Sequence, residues 1–555
     1  MTQALHAQVS AWIADDPDPA SREELSALLA ALPASADELA DRFNGTLEFG
    51  TAGLRGPLRA GPNGMNRAVV GRAAAGLGRY LDDVGLEGPV VIGYDARRGS
   101  HAFALDTAEI VAGTGRAALL MPRALPTPVL AYAVGALAAA AGVMVTASHN
   151  PPQDNGYKVY LGGVEGRNAQ IVPPADADIS ARIAAVASLA ELPRSRDYGA
   201  VDEALYERFL QAAADVVGED SPRELTVVST ALHGVGGETL LAAFERAGFT
   251  APVPVAHQQR PNPEFPGLAF PNPEEPGVMD DVLALAVTED ADLAIANDPD
   301  ADRCAAAAPM RGGWRQLRGD ELGVLLADHL MRRGVRGTYA TTIVSSSMLG
   351  ALCARRGVPY AATLTGFKWI VRAPQSTGEP LCFGYEEAIG YAVDPASVND
   401  KDGISAAVLT AELVAGLKAE GSSIQQRLDE LHAELGHHRT DQVSVRVDDL
   451  RTIAETMARL RTSPPASLGE WTVTVEDLLP QTDALILRGD GVRVVIRPSG
   501  TEPKLKAYLE VVLAPAGTAT DDTTAGGTAA DPAVIEAEAA AAMTVLREAV
   551  TALVV

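Results

Sequence analysis

Cysteine is scarce: only Cys304, Cys353 and Cys382 occur in 555 residues, an odd number with no ligand-type spacing. That argues against a disulfide framework and against a zinc site, and it reads as a reducing, cytoplasmic compartment. Basic side chains are also few, 45 Lys and Arg against 72 Asp and Glu, for a net charge of -27. Such a field repels nucleic acid and anionic membrane. A phosphorylated ligand stays compatible with it, provided that the basic residues gather where the anion binds. The opening segment, MTQALHAQVSAWIADDPDP, has early acidic residues and lacks a secretory-leader pattern. One run, residues 129–147, is apolar and long enough to span a bilayer. Alanine dominates it, Gly135 and Gly142 interrupt it, and it runs into Ser148-His149-Asn150, so it predicts a buried helix followed by a buried strand from Val143.

What is present is an ordinary globular composition, 47% hydrophobic and 21% charged. At roughly 150 residues per domain, the length suggests about four domains. The first part alternates helix and strand: a helix over 66–83, strands in 88–98 and 142–150, then a helix over 203–217. The rhythm restarts with LTVVST (225–230), the helix ETLLAAFERAG and the strand DLAIA (292–296). A third unit follows, with a helix over 319–333, TYATTIV, SMLGALCARRG and YAATLT. Strands alternating with helices predict a largely parallel sheet with ligands at the carboxyl ends of its strands. From about residue 440, VSVRV, WTVTV, DALILRG and VRVVIR alternate at period two, which predicts an antiparallel sheet. Residues 515–531 lack periodicity and read as a flexible insertion, and an alanine-rich helix starts near 532.

Seven segments carry candidate chemistry. In NDPDADRC (297–304), Asp298, Asp300 and Asp302 alternate after a buried strand, so a turn can aim three carboxylates at one point. Oxygen-only ligands suit a hard cation such as Mg²⁺, Arg303 adds a fixed charge, and an acidic surface turn is the plainer alternative. A calcium-type loop fails for want of its closing glutamate. In TASHNPPQDNGYKVY (146–160), Ser148 sits at a strand tip ahead of a rigid Asn-Pro-Pro turn, with His149 and Lys158 able to steady anionic oxygens. No G-x-S-x-G elbow occurs, which lowers the case for a hydrolase. RPSGTEPKLK (497–506) can form an anion nest from Arg497, Ser499, Gly500 and Thr501, with Lys504 and Lys506 adding charge. FGTAGLRG (49–56) leaves Arg55 little shielded. GYEEAIGY (384–391) pairs Glu386 and Glu387 beside glycines, while NDKDG and TGFKWI offer Lys401 and Lys368 on glycine-containing loops. Each of these also reads as a plain polar turn when taken alone.

Together, and in this order, TASHNPP, DPDADR, EEAIG and RPSGTEP resemble the α-D-phosphohexomutase superfamily over nearly the whole chain, most closely the branch holding phosphoglucomutase and phosphopentomutase activities. The resemblance implies an α/β fold of four domains around a central cleft, three α/β domains with mixed sheets and a smaller C-terminal α+β domain. The expected bounds are 1–203, 204–318, 319–438 and 439–555. It implies Ser148 as the phosphorylated serine, one Mg²⁺ held by Ser148, Asp298, Asp300 and Asp302, and a sugar bisphosphate as activator. Arg55, His149, Lys158 and Lys401 would serve transfer, with the acid/base partner open among His149, Lys158 and Lys401. Glu386, Glu387, Lys368, Arg303, Arg497, Ser499, Gly500 and Thr501 would bind substrate. The partners are small sugar phosphates, glucose 1-phosphate and 6-phosphate first, with mannose, pentose phosphates or simple phosphatase action as alternatives; the oligomeric state is open. One departure stands out: Ala388 follows the paired acids where many members carry serine, which removes one sugar contact.

Overall fold

The computed structural model describes residues 3–447, 449–499, 504–515 and 531–554. The expected flexible insertion lies almost wholly outside them, as do Gly500 and Thr501. The chain forms two compact units, residues 1–317 with 390–419, and residues 318–389 with 420–555.

The first unit opens with three helices, Gln3–Asp15, Pro19–Ala30 and Ala36–Phe43. They pack Val9, Leu25, Leu39 and Phe43 into a small core with Ala60. Proline at the start of the second suits a position whose N–H needs no partner, and Asp18 caps it by accepting from the Ala20 N–H. A seven-stranded sheet follows. Its order is Leu54–Pro57, Asp154–Leu161, Ala141–Val145, Val90–Tyr94, Ala118–Leu120 and Gly199–Ala200, with Ala169–Gln170 beside Asp154–Leu161. The strands from Ala141–Val145 outward run parallel. Asp154–Leu161 is antiparallel to both of its main neighbours, so the sheet is mixed. The apolar run resolves into the helix Thr127–Ala136 and the strand Ala141–Val145, two residues earlier than the pattern predicted. Among the described residues no helix is long and apolar enough to cross a membrane.

A five-stranded sheet completes this unit: Gly313–Gln316, Ala305–Met310, Leu293–Ala296, Val227–Thr230 and Val253–Pro254. Leu293–Ala296 lies parallel to Val227–Thr230 and antiparallel to Ala305–Met310. The helix Gly403–Ala419 is buried along nearly its whole length and apolar on every side, as expected of an internal helix. Its one buried acid, Glu412, accepts from the Gly218 N–H at 2.7 Å and from Ser221.

In the second unit, Thr338–Thr342 runs parallel to Tyr360–Thr363 and Leu381–Glu386, flanked by the helices Gly319–Arg332 and Met348–Arg356. An antiparallel sheet then follows in the order His437–Arg446, Lys504–Leu513, Val492–Pro498, Leu485–Gly489 and Thr474–Asp477. The helices Leu450–Thr462 and Pro532–Val554 share its core through Ile453, Met457, Leu546 and Val550. WTVTV does not form one strand. Val473 is buried and donates its N–H to the Ala466 carbonyl, which divides the segment into Trp471–Thr472 and Thr474–Asp477.

Candidate active site

In the first unit a serine, three aspartates and two lysines converge. Ser148 follows Ala141–Val145 with φ at 51°, a left-handed conformation uncommon for serine. The Thr146 hydroxyl accepts the Ser148 N–H at 2.9 Å, and Ser148 Oγ donates to Asp298 Oδ2 at 2.7 Å. His149 Nδ1 stands 3.2 Å from the same oxygen. Asp298 follows the strand Leu293–Ala296 and opens a turn that curls back on itself. The Ala301 N–H reaches the Asp298 carbonyl, and the Arg303 N–H reaches Asp298 Oδ1. That turn gathers carboxylate oxygens of Asp298, Asp300 and Asp302 within 4.8 Å of one another, all buried.

Lys158 comes from the antiparallel strand Asp154–Leu161 and bridges two of these acids, Nζ lying 2.7 Å from Asp300 Oδ2 and 2.8 Å from Asp302 Oδ2. Lys401 Nζ approaches Asp302 Oδ2 at 3.3 Å. Its loop can come this close because residue 403 is glycine; a Cβ there would stand 2.2 Å from the Arg303 carbonyl oxygen. Thr127 seats Asp300 from the other side, donating its hydroxyl to Oδ2 at 2.6 Å and its N–H to the carbonyl at 2.9 Å. Asp400 carries the Lys401 loop: its Oδ2 accepts from Tyr160 and Gln170, and its Oδ1 from the Lys401 N–H.

The charges here are not balanced by the lysines alone. Burial opposes ionisation of Asp302, but Lys158, Lys401 and Arg303 outweigh it and hold that carboxyl far below the usual range. Asp300 is lowered too: burial and Asp302 work against it, and Lys158 prevails. The excess falls on Asp298, which burial and its two carboxylate neighbours push well above the usual range. Asp300 Oδ1 and Asp302 Oδ1 are buried and accept no hydrogen bond. Buried acceptors with no donor, beside a third carboxylate and a hydroxyl, fit a small hard cation with oxygen ligands. Mg²⁺ meets that description.

The positive groups around the serine differ in kind. Arg55, on the strand Leu54–Pro57, donates to Asn150 Oδ1 at 3.1 Å. It is delivered by the turn at Gly53, where φ is 75° and a Cβ would meet the Tyr157 carbonyl oxygen at 1.8 Å. Lys158 is held protonated: burial opposes its charge, yet Asp300 and Asp302 raise it. His149 is driven well below its ordinary value by burial, then by Arg303 and Arg55, so its imidazole is neutral at physiological pH. The Arg303 guanidinium lies 3.5 Å from Glu274 and 3.9 Å from Asp302.

The remaining candidates belong to the second unit. Glu386 ends the strand Leu381–Glu386, and Glu387 Oε2 accepts from Thr342 and Ser345, each at 3.0 Å. Burial, then Glu386 and Asp320, push the Glu387 carboxyl up to about 7. Lys368 lies on the one-turn helix Phe367–Ile370 after Tyr360–Thr363. Arg497 faces Lys506 across the antiparallel pair, and the Ser499 N–H donates to the Lys504 carbonyl at 2.8 Å. Burial, then Glu387, push the Tyr508 hydroxyl up while Arg497 works against them, so this tyrosine senses both the paired acids and the basic strand. Four residues along the same two strands, Arg493 pairs with Glu510 at 2.9 Å. Glu510 also accepts from Ser346 Oγ and the Ser347 N–H, and Arg493 donates to the Ile343 and Ser345 carbonyls. This anchor fixes the loop whose Ser345 holds Glu387. Sequence reasoning overlooked Thr127, Tyr160, Asp400, Arg493 and Glu510. Only the charge of Glu510 within an otherwise apolar strand end could have marked one of them.

An alternating α/β chain with a serine poised on a buried carboxylate cluster, and a separate basic strand pair, defines a phosphoryl-transfer protein. Family models fit it in order: "Phosphoglucomutase/phosphomannomutase, alpha/beta/alpha domain I" over residues 46–189, domain II over 204–311, domain III over 318–435, and the C-terminal domain over 443–524. A protein of Haemophilus influenzae named "Probable phosphomannomutase" is 45% identical over 80% of this chain and 93% of its own length. The Mus musculus phosphopentomutase is 34% identical over 93% of this chain and 91% of its own. The crystal structure of a phosphoglucomutase/phosphomannomutase family protein from Burkholderia thailandensis shares the fold, with a TM-score of 0.66 at 19% identity, over 90% of this chain and 96% of that one. The chain belongs to the phosphoglucomutase/phosphomannomutase family. It is a phosphosugar mutase, an isomerase.

Proposed function

We propose that this enzyme interconverts a hexose 1-phosphate and its 6-phosphate, glucose first and mannose second, in the cytoplasm, by lending and recovering a phosphoryl group through Ser148. The observation that carries the reading is Ser148 Oγ, buried and 2.7 Å from Asp298, beside Asp300 and Asp302 with their unused oxygens. Asp298, Asp300, Asp302 and Ser148 would hold one Mg²⁺, which when bound supplies Lewis-acid stabilisation of phosphoryl charge. Transfer from phospho-Ser148 forms a bond from phosphorus to a sugar hydroxyl oxygen and breaks the bond to Oγ. The hydroxyl loses a proton and Oγ gains one. Lys158 and Lys401 are the proton-holding groups among the acids, and Arg55, Arg303 and neutral His149 orient anionic oxygens. The resulting sugar bisphosphate, which would also serve as activator, then returns its other phosphate to Ser148.

Glu386, Glu387 and Lys368 would read sugar hydroxyls, while Arg497 and Ser499, with Gly500 and Thr501 beyond the described residues, would grip the phosphate that does not react. The four-part division at 203, 318 and 438 is part of the same proposal. Pentose phosphate is the second reading, supported by Ala388 and by the similarity to phosphopentomutases. The test is intact-mass and peptide analysis after incubation with Mg²⁺ and glucose 1,6-bisphosphate. One added phosphate at Ser148, absent from Ser148→Ala, is expected together with loss of mutase turnover. Steady release of inorganic phosphate without isomerisation would assign a phosphatase instead. On one preparation, pentose 1-phosphate outrunning hexose 1-phosphate in kcat/KM by about tenfold, ~1.4 kcal/mol in transition-state binding, would move the substrate to the second reading.

A further inference from the structure

Four backbone carbonyls of the serine loop point at one spot beneath it, and a single guanidinium fills that spot. Arg97 Nη2 donates to the carbonyls of Ser148 at 2.5 Å and Asn150 at 2.6 Å. Its Nη1 donates to those of Pro151 at 2.8 Å and Asp154 at 3.2 Å. Behind it, Asp95 Oδ2 lies 3.4 Å from Nε, and Asp95 Oδ1 takes the Arg97 N–H and the Ser100 hydroxyl. The Phe265 ring covers the guanidinium at 4.9 Å. The side chain is 1% exposed.

The loop it serves is tied by side chains at Ser148, to Thr146 and Asp298, and at Asn150, to Arg55 and Asp154, and by the Leu58 N–H to the Gln153 carbonyl. Beyond Ala147 it makes two short turns, from the Asn150 N–H to Ala147 and from the Asp154 N–H to Pro151, and Ser148 itself is left-handed. Buried carbonyls without donors cost about 1–3 kcal/mol each, so four facing inward would drive the loop to rearrange. Arginine alone presents enough N–H groups in one planar fork to satisfy all four. Its burial and its ring cover also mean that it cannot be an anion-binding residue. A basic side chain beside the serine is therefore committed to backbone carbonyls and to Asp95.

We propose that Arg97 is a positioning residue for phosphoryl transfer, holding Ser148 Oγ at its place on the aspartate cluster without touching substrate. The proposal rests on the reading of Ser148 as the phosphoryl carrier. It deepens that reading by assigning the geometry of the nucleophile to a residue outside the reacting set. Displacement of a reacting atom by about an ångström can cost on the order of 100-fold in rate, and the loss should fall on kcat because the sugar phosphate meets none of these atoms.

The test compares Arg97→Lys with Arg42→Lys. Lysine at 97 keeps the charge opposite Asp95 but not the fork. Arg42 is a similarly buried control in the N-terminal helices, bonded to Glu24, Glu38 and the Ala60 carbonyl. Arg97→Lys is expected to lower kcat at least tenfold with KM for the sugar 1-phosphate within threefold. The initial rate of Ser148 phosphorylation by glucose 1,6-bisphosphate should fall in step. Arg42→Lys should lower Tm while keeping kcat within twofold. A smaller kcat loss in Arg97→Lys, or one carried by KM, overturns the proposal. Should Arg97→Lys fail to fold, Phe265→Leu, which uncovers one face of the guanidinium, decides at a threefold threshold in kcat. Wild-type enzyme that never takes phosphate at Ser148 would instead remove the reaction itself. Phosphorylated wild type beside an equally fast Arg97→Lys would remove Arg97 alone.

Discussion

At neutral pH the Glu387 carboxyl stands at its midpoint, and Glu387→Gln exposes what that placement costs the fold. Burial, Glu386 and Asp320 raise the group from 4.5 to about 7. A carboxyl whose folded value is raised contributes stability that is complete below its unfolded value, here pH 4.5, and is lost as pH climbs through 7. At 1.36 kcal/mol per unit, the full shift corresponds to ~3 kcal/mol. The side chain is only partly covered, so solvent screening brings this to about 1–2 kcal/mol. Glutamine is neutral throughout and still offers an oxygen to Thr342 and Ser345. Urea unfolding at intervals from pH 4.5 to 8 should therefore show variant and wild type nearly level in acid. The variant should gain about 1–2 kcal/mol on the wild type, most of it between pH 4.5 and 7, and hold that gain level to pH 8. A gap that stays constant across that range would refute the argument, since Glu387 would then titrate as an ordinary surface acid.

Two further outcomes follow from the geometry. Glu510 is held down to about 2 because His438 and Arg493 outweigh its burial; Glu510→Gln, which leaves Arg493 short of its counter-charge, should destabilise the second unit by about 3–5 kcal/mol, and equal urea midpoints for variant and wild type would contradict this. The wild-type contribution is present above pH 4.5 and fades as pH falls toward 2. Gly53→Ala meets both a left-handed backbone and the Tyr157 carbonyl, so it should displace Arg55 and cut kcat/KM by at least tenfold, measured by coupled assay; wild-type activity would show that the turn does not deliver Arg55.

The α/β rhythm and the antiparallel end of the chain were legible because helices and half-exposed strands leave periodic traces. Asp154–Leu161 left none. It is buried on both faces after its first residue, so no alternation marks it, although it carries Lys158. The motifs around Ser148 and Asp298 were visible as segments, each too short to exclude a plain turn. Their meeting was not, since the two residues are 150 positions apart and only the shared fold unites them. Nothing in the sequence marked Arg97, because a side chain that serves four carbonyls has no local signature. Thr127 and Asp400 escaped for the same reason: each acts on a residue from a distant stretch of chain. The division of WTVTV shows the opposite failure, a clean pattern broken by one buried valine bonded elsewhere.

The first unit takes back residues 390–419 after the chain has run through only the opening stretch, 318–389, of the other. Lys401 reaches Asp302 only from that late stretch, 99 residues downstream. At ~5–20 residues per second on the ribosome, the acidic turn waits on the order of 5–20 seconds for its second ammonium. Translation thus leaves a nascent enzyme whose buried acidic turn stays incomplete while other chain emerges, and a stop placed anywhere between 303 and 389 would yield a fragment deprived of the buried helix Gly403–Ala419.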